Sequence, residues 1–248
     1  MRIAGGSSFG IFMFFCYTKC MRILIVQSRT STDWVEREQN NFRRAIGNAA
    51  EIEFLSSLDE RLAWTSPDEF LKASDGVIFG GSSDFDFHGG RDAKDPARLM
   101  SLIILTRAKS IVKHAMAENV PILGVCFGHQ LIAQMFGGEI RCDDAQGKFG
   151  SHEIHLTEEG KKDELFKMLP HTLVAQYWHK DSATKLPEGA TLLAAGDCCR
   201  FSVLRYDSTT YTVQFHPEVE RMITDENPKA SPEASKLIPL WIERIVAA

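Results

Sequence analysis

The stretch Pro121-Ile-Leu-Gly-Val-Cys-Phe-Gly-His-Gln-Leu131 decides how this chain is read. Pro121–Val125 is a short continuous apolar run, the form of a strand buried on both faces. It passes directly into a helical pattern that continues through Leu131–Phe136 and is stopped by Gly137-Gly138. Cys126 stands at the joint, flanked by Gly124 and Gly128. Gly-x-Cys-x-Gly is the cysteine form of a nucleophile elbow, a sharp strand-to-helix turn that lifts one side chain above a sheet. Glycines are required because neighbouring backbone passes close to such a turn. The N–H groups exposed at the helix start favour a thiolate. A buried cysteine alone is a small hydrophobe; in this context Cys126 is a candidate nucleophile.

A cysteine nucleophile needs a base, and Gln214-Phe-His-Pro-Glu218 offers His216 about 90 residues later. Tyr211-Thr-Val213 reads as a strand, so His216 is expected at or just beyond its end. In an extended segment, residues 216 and 218 project to the same side. Glu218 is then expected to accept a hydrogen bond from one imidazole nitrogen while the other faces the thiol, the logic of a catalytic triad.

Outward from these motifs, the chain reads as alternating strands and helices in its first half. Ile23–Val26, Glu51–Leu55 and Val77–Phe79 are predicted strands; residues 33–46 and Arg98–Glu118 are predicted helices. Ser66-Pro-Asp-Glu69 has the form of a helix start. Segments near 149–156, 173–178, 191–195, 202–206 and 211–215 read as strands of an antiparallel part, with a helix near 161–168. Residues 232–246 close the chain as a helix with Leu237, Ile238, Leu240, Trp241 and Ile245 on its apolar side. The fold class is α/β: a doubly wound, mostly parallel open sheet with a small antiparallel part. Residues 21–248 are expected to form one domain. Residues 1–20, with the apolar run Phe9–Tyr17, are expected to be a disordered extension or an upstream start; a signal peptide is the competing reading, against which no small-x-small site follows.

The chain has 248 residues, 44% apolar and 25% charged, enough for a sizeable core. A net charge of −5 lacks the basic footprint of nucleic-acid binding, and no apolar stretch is long enough to span a membrane. Six cysteines with no Cys-x-x-Cys spacing point to a reduced, cytoplasmic protein. Neither Gly-x-x-x-x-Gly-Lys nor a dinucleotide fingerprint occurs, so no cofactor is expected. Asp84, Asp86, His88 and Asp92 fall in a Gly-rich polar loop that supplies such residues by chance, so no metal is expected either.

Gly-Val-Cys-Phe-Gly-His-Gln (124–130) together with Gln-Phe-His-Pro-Glu-Val (214–219) resembles the class I glutamine amidotransferases. The likeness is nearest to the glutaminase domain of GMP synthetase and its free-standing relatives, and covers nearly all of 21–223. Tyr177-Trp-His-Lys-Asp181 sits where the synthetases carry a Trp-Met-Ser-His-Gly-Asp segment. The resemblance implies that Cys126 attacks the side-chain amide of glutamine, with His216 as base and Glu218 as its orienter. It implies an oxyanion hole from the backbone N–H groups of Gly81 and Phe127, and contact of Gln130 with bound glutamine. It also implies a partner, a synthetase that accepts the ammonia. The family usually has Pro after Gly80-Gly81, where this chain has Ser82, so a more mobile 82–92 loop is expected. Two alternatives stand beside this reading: a γ-glutamyl peptide hydrolase of the same fold, and a non-catalytic regulatory relative.

Overall fold

The computed structural model describes residues 21–60, 67–197, 199–222 and 228–248. The expectations for residues 1–20, and the Ser66 cap, lie outside the described residues. In chain order the elements are β1 (Arg22–Gln27), α1 (Thr32–Ile46), β2 (Glu51–Ser56), α2 (Asp68–Leu71), β3 (Gly76–Phe79) and α3 (Pro96–Ala117). The elbow follows with β4 (Ile122–Val125) and α4 (Phe127–Met135). After it come β5 (Ile140–Cys142), β6 (Lys148–Leu156), α5 (Glu158–Lys162), β7 (Thr172–His179), β8 (Asp181–Ala183), β9 (Thr191–Gly196), β10 (Cys199–Arg205), β11 (Thr210–Val213), α6 (Pro232–Ser235) and α7 (Leu237–Trp241).

Nine strands form one sheet in the order β2-β1-β3-β4-β11-β10-β9-β6-β7, and β5 pairs with β8 separately. From β2 to β11 the neighbours are parallel; from β11 to β7 they are antiparallel. The antiparallel part is thus continuous with the parallel one through β11. The strand period of two divides β1 between two cores: Ile23 and Ile25 face α1 and the C-terminal helices, Leu24 and Val26 face α3 and α4. Burial on both faces explains why the parallel strands read as unbroken apolar runs.

Several boundaries differ from the sequence reading for local reasons. α3 begins at Pro96, ahead of the expected Arg98, because Asp95 caps it by accepting from Ala97 N–H at 2.8 Å. The helix expected near 161–168 is instead α5 plus a single 3-10 turn at Phe166–Met168. Asp163 separates them, its Oδ1 accepting from the N–H groups of Leu165 and Phe166 at 2.9 and 3.1 Å. The closing helix is interrupted at Lys236 and ends in a π-turn over Ile242–Val246; Pro239 has no N–H to carry the ladder across Ser235. β5 and β8 are three residues each and left no periodic signal in the sequence. Among the described residues no helix is long and apolar enough to cross a membrane.

Candidate active site

Three adjacent parallel strands bring the candidate residues together. In register, Phe79 of β3 lies beside Gly124 of β4, and Val213 of β11 beside Val125. The chain segments leaving the C-terminal ends of these strands therefore start side by side: Gly80-Gly81, Cys126 and Gln214–Glu218. That is the end of an open α/β sheet where ligands bind.

At the elbow, Cys126 has φ +52° and ψ −100°, a conformation that L side chains rarely adopt. It is held by Cys126 N–H donating to Val213 O at 2.9 Å and Gln130 N–H donating to Cys126 O at 3.1 Å. A methyl group at Gly128 would fall 2.3 Å from Phe79 O, and one at Gly124 would fall 2.9 Å from Gly128 O. Both glycines are thus demanded by close backbone. Cys126 is buried, and its sulfur lies 3.6 Å from Trp178 O.

His216 and Glu218 do not meet by strand alternation, as the sequence suggested. Val219 N–H donates to His216 O at 3.2 Å, so Pro217 and Glu218 occupy the centre of a turn. The turn brings Glu218 Oε1 to 2.7 Å from His216 Nδ1. Both side chains are buried, and His216 N–H is anchored on Gln176 O at 2.8 Å. The Cys126 sulfur is near enough to act on the His216 imidazole, while its own hydrogen-bond contact is with Trp178 O. Burial would lower the imidazole pKa, but the Glu218 carboxylate and the Cys126 sulfur raise it, to about 10. An imidazolium between a carboxylate and a sulfur is the state that favours a thiolate. Such a cluster can deliver sulfur to a carbonyl carbon and return a proton to a leaving nitrogen.

The remaining predicted residues are close by. Phe127 opens α4, where its N–H has no acceptor within the helix; its ring stacks on Phe87 at 5.6 Å. Gln130 is buried one turn beyond Cys126, with Nε2 donating to Asp181 O at 2.7 Å. Gly81 borders the cluster: a methyl there would lie 2.9 Å from His216 Cε1. Its N–H, however, donates to Glu38 Oε1 at 3.1 Å.

The 82–92 loop, expected to be mobile, is tied down along its length. Asp84 accepts from Thr30 N–H and Oγ1–H at 2.6 and 2.8 Å, and Asp86 pairs with Arg91 at 2.8 Å. His88 and Gly89 donate their N–H groups to the Asp181 carboxylate, each at 2.6 Å. Asp181 thus holds the loop with its carboxylate and Gln130 with its carbonyl. His179, from the same segment, is buried with Nδ1 2.9 Å from Asp181 O, and burial lowers its pKa to about 4. Sequence reasoning missed Glu38 as part of the site, and gave His179 and Asp181 no role although it singled out the Tyr177–Asp181 segment that carries them. Glu38 carried one signal: it falls on the buried face of α1 with Phe42 and Ile46, where a carboxylate is out of place.

A family model for glutamine amidotransferase class I matches residues 89–230. A GMP synthase (glutamine-hydrolyzing) subunit of Archaeoglobus fulgidus is 32% identical over 156 residues, 62% of this chain and 72% of that one. Its counterpart from Thermococcus kodakarensis is 35% identical over 158 residues, 62% of this chain and 73% of that one. Among solved structures, a Thermoplasma acidophilum protein named for a GMP synthase subunit superposes with TM-score 0.65 at 21% identity, over 92% of this chain and 94% of that one. A glutamine amidotransferase from Thermotoga maritima superposes with TM-score 0.56 at 18% identity, over 80% of this chain and 76% of that one. These two likenesses speak for the fold, and the sequence matches for the family: the chain belongs to the class I glutamine amidotransferases.

Proposed function

We propose that the chain hydrolyses the side-chain amide of glutamine through Cys126, His216 and Glu218, and passes the ammonia to a separate synthetase. The observation that carries this reading is the buried His216–Glu218 pair, at 2.7 Å, beside a strained cysteine at a helix N-terminus. The Cys126 sulfur adds to the γ-carbonyl carbon of glutamine, and the carbonyl electrons move to oxygen. His216 gives its proton to the amide nitrogen, the C–N bond breaks and ammonia leaves. Water then attacks the glutamyl thioester, His216 takes its proton, and glutamate departs as the C–S bond breaks. Phe127 and Gly81 N–H groups supply the oxyanion hole, each such donor worth about 2.7–4 kcal/mol. Gln130 helps hold the substrate. Glu218 keeps the imidazole oriented and stabilises its charged form. The domain carrying this chemistry is residues 21–248. The matched relatives are named as one subunit of a GMP synthase, which supports a synthetase partner. The free thiols of Cys126, Cys142 and Cys199 suit the reducing cytoplasm.

The test is ammonia release from glutamine by the isolated protein and by Cys126→Ala. A glutamine-like alkylating agent is expected to label Cys126 and to spare Cys142 and Cys199. Burial raises the thiol pKa of both, to about 11 for Cys199. Full activity in Cys126→Ala, or labelling elsewhere, refutes the mechanism.

One observation favours a second reading. A cavity of about 790 Å³ adjoins His216 and Glu218 and extends over Trp34, Arg37, Trp178 and Arg221. That volume far exceeds an amide –NH₂ and has room for the amino-acid leaving group of a γ-glutamyl peptide. The acyl-enzyme is common to both substrates, so the ratio of kcat/KM for γ-glutamyl dipeptides and glutamine decides. A dipeptide preference above about tenfold, equal to about 1.4 kcal/mol, selects the peptidase. Glutaminase activity that rises on adding a copurifying partner selects the amidotransferase.

A further inference from the structure

Glu38 reaches the site from α1, yet the proposed reaction gives it nothing to do. Its carboxylate is 3% exposed and fully engaged. Oε1 accepts from Gly81 N–H at 3.1 Å and from Arg29 Nε–H at 3.0 Å; Oε2 accepts from Gln27 Nε2–H at 2.8 Å. Gly80 permits this approach, since a methyl group there would lie 2.9 Å from Glu38 Oε1. The adjoining Gly80 carbonyl is gripped from the other side, where Gly80 O accepts from Gly128 N–H at 3.1 Å. Both polar atoms of the Gly80–Gly81 peptide unit are therefore committed, one to α1 and one to the elbow helix.

This geometry conflicts with use of Gly81 N–H in catalysis. A backbone N–H has one hydrogen, and a bond to a carboxylate is among the stronger ones it can make. An oxyanion on the substrate must draw that hydrogen away from Glu38. No side chain at residues 80 and 81 obstructs a turn of this peptide plane, which is rigid and so also swings Gly80 O away from Gly128 N–H.

We infer that Glu38 is a positioning residue that holds the Gly80–Gly81 peptide in a resting orientation, withholding the Gly81 N–H from the oxyanion until that bond opens. The inference rests on the proposed glutaminase reaction. Glu38 also lines the cavity that adjoins His216 and Glu218, so an occupant of that cavity meets the side chain that holds this bond. The chain alone is then a slow enzyme whose chemical step includes breaking the Glu38–Gly81 contact.

The experiment measures ammonia release by the full chain as wild type, Glu38→Gln and Glu38→Ala. Release of the peptide acts on the chemical step and not on substrate capture. Glu38→Ala is therefore expected to raise kcat roughly tenfold, or about 1.4 kcal/mol, with KM for glutamine changed less than about twofold. Glu38→Gln keeps an acceptor without the charge and is expected to fall between. A kcat that is unchanged or lower in Glu38→Ala overturns the inference and makes Glu38 a scaffold for the loop. Should Glu38→Ala fail to fold, the wild-type protein alkylated on Cys126 by a glutamine-like agent gives the answer by crystallography. Gly81 N–H turned from Glu38 to the adduct oxygen supports the inference; Gly81 still bonded to Glu38 overturns it. Failure of the underlying reaction shows separately, as wild-type protein that neither releases ammonia nor is alkylated at Cys126, and it sinks both readings.

Discussion

Replacing Glu218 by Gln separates the orienting role proposed for this side chain from the proton transfer proposed for His216. Gln matches Glu in shape, so its Oε1 can still accept from His216 Nδ1–H across the present 2.7 Å. What is lost is the negative charge opposite an imidazole that becomes, or remains, protonated during the reaction. A hydrogen bond to a charged group contributes about 1.5–3 kcal/mol and a neutral one about 0.5–1.5. The difference of about 1–1.5 kcal/mol corresponds to roughly a tenfold loss in kcat. A second effect adds to it. Glu218 Oε2 is buried without a hydrogen-bond partner among the described residues, so the new amide –NH₂ is also left unpaired by them there. The amide can instead turn its –NH₂ toward Nδ1, which forces the other tautomer and places N–H, not a lone pair, toward the sulfur. That arrangement enlarges the loss. His216→Ala removes the proton carrier itself and is expected to lower the rate by about 10²–10⁴. Steady-state ammonia release by both variants, with melting temperatures within about 4 °C of wild type as the check on folding, gives the comparison. Wild-type kcat in Glu218→Gln refutes the orienting role. A loss in Glu218→Gln greater than that in His216→Ala refutes the division of roles.

Gly128→Ala places a methyl group 2.3 Å from Phe79 O, so α4 must retreat from β3 and the Gly128–Gly80 bond must lengthen. Overpacking of this kind destabilises by about 1–3 kcal/mol, a drop of roughly 2–12 °C in Tm, and activity is expected to fall further because the elbow moves. Acid sensitivity follows from His129, whose pKa burial lowers to about 3 against an unfolded value near 6.5. The folded state keeps this imidazole neutral, so its contribution is complete above about pH 6.5 and is lost as pH falls toward 3. Unfolding free energies between about pH 7 and 4.5 are expected to fall less steeply in His129→Gln, by up to about 1.4 kcal/mol per pH unit; an unchanged slope counts against a buried neutral His129. Asp181→Ala removes the acceptor for His88 and Gly89 N–H, so hydrogen exchange at those two amides is expected to accelerate. Exchange as slow as in wild type shows that the loop is held by its other ties.

Much of the candidate site was legible because its parts are local in sequence. Cys126 could be placed because a strand, a tight turn and a helix are consecutive, and the demand for Gly124 and Gly128 follows from that turn alone. His216 and Glu218 are two residues apart, so their meeting needed no knowledge of the fold, although strand alternation does not account for it. Pro217 bends the chain into a turn in which residues 216 and 218 converge, where an extended strand merely aligns them.

Sequence by itself determined the longer strands and helices, the elbow and the pairing of His216 with Glu218, since each rests on propensity or on contacts within one turn. Only the tertiary structure decided the rest, because hydrogen-bond partners between strands are chosen by the whole sheet and not by any segment. Placing β3 and β11 on either side of β4 puts Gly81, Cys126 and His216 in one place from three distant parts of the chain. The same packing delivers Glu38 to Gly81 across 43 residues and Asp181 to the 82–92 loop across 92 and 93. Neither carboxylate belongs to a spacing pattern that names its partner. Each is buried at a cost that hydrogen-bond donors gathered by the fold offset, backbone N–H groups for Asp181 and Gly81 N–H with the Arg29 and Gln27 side chains for Glu38.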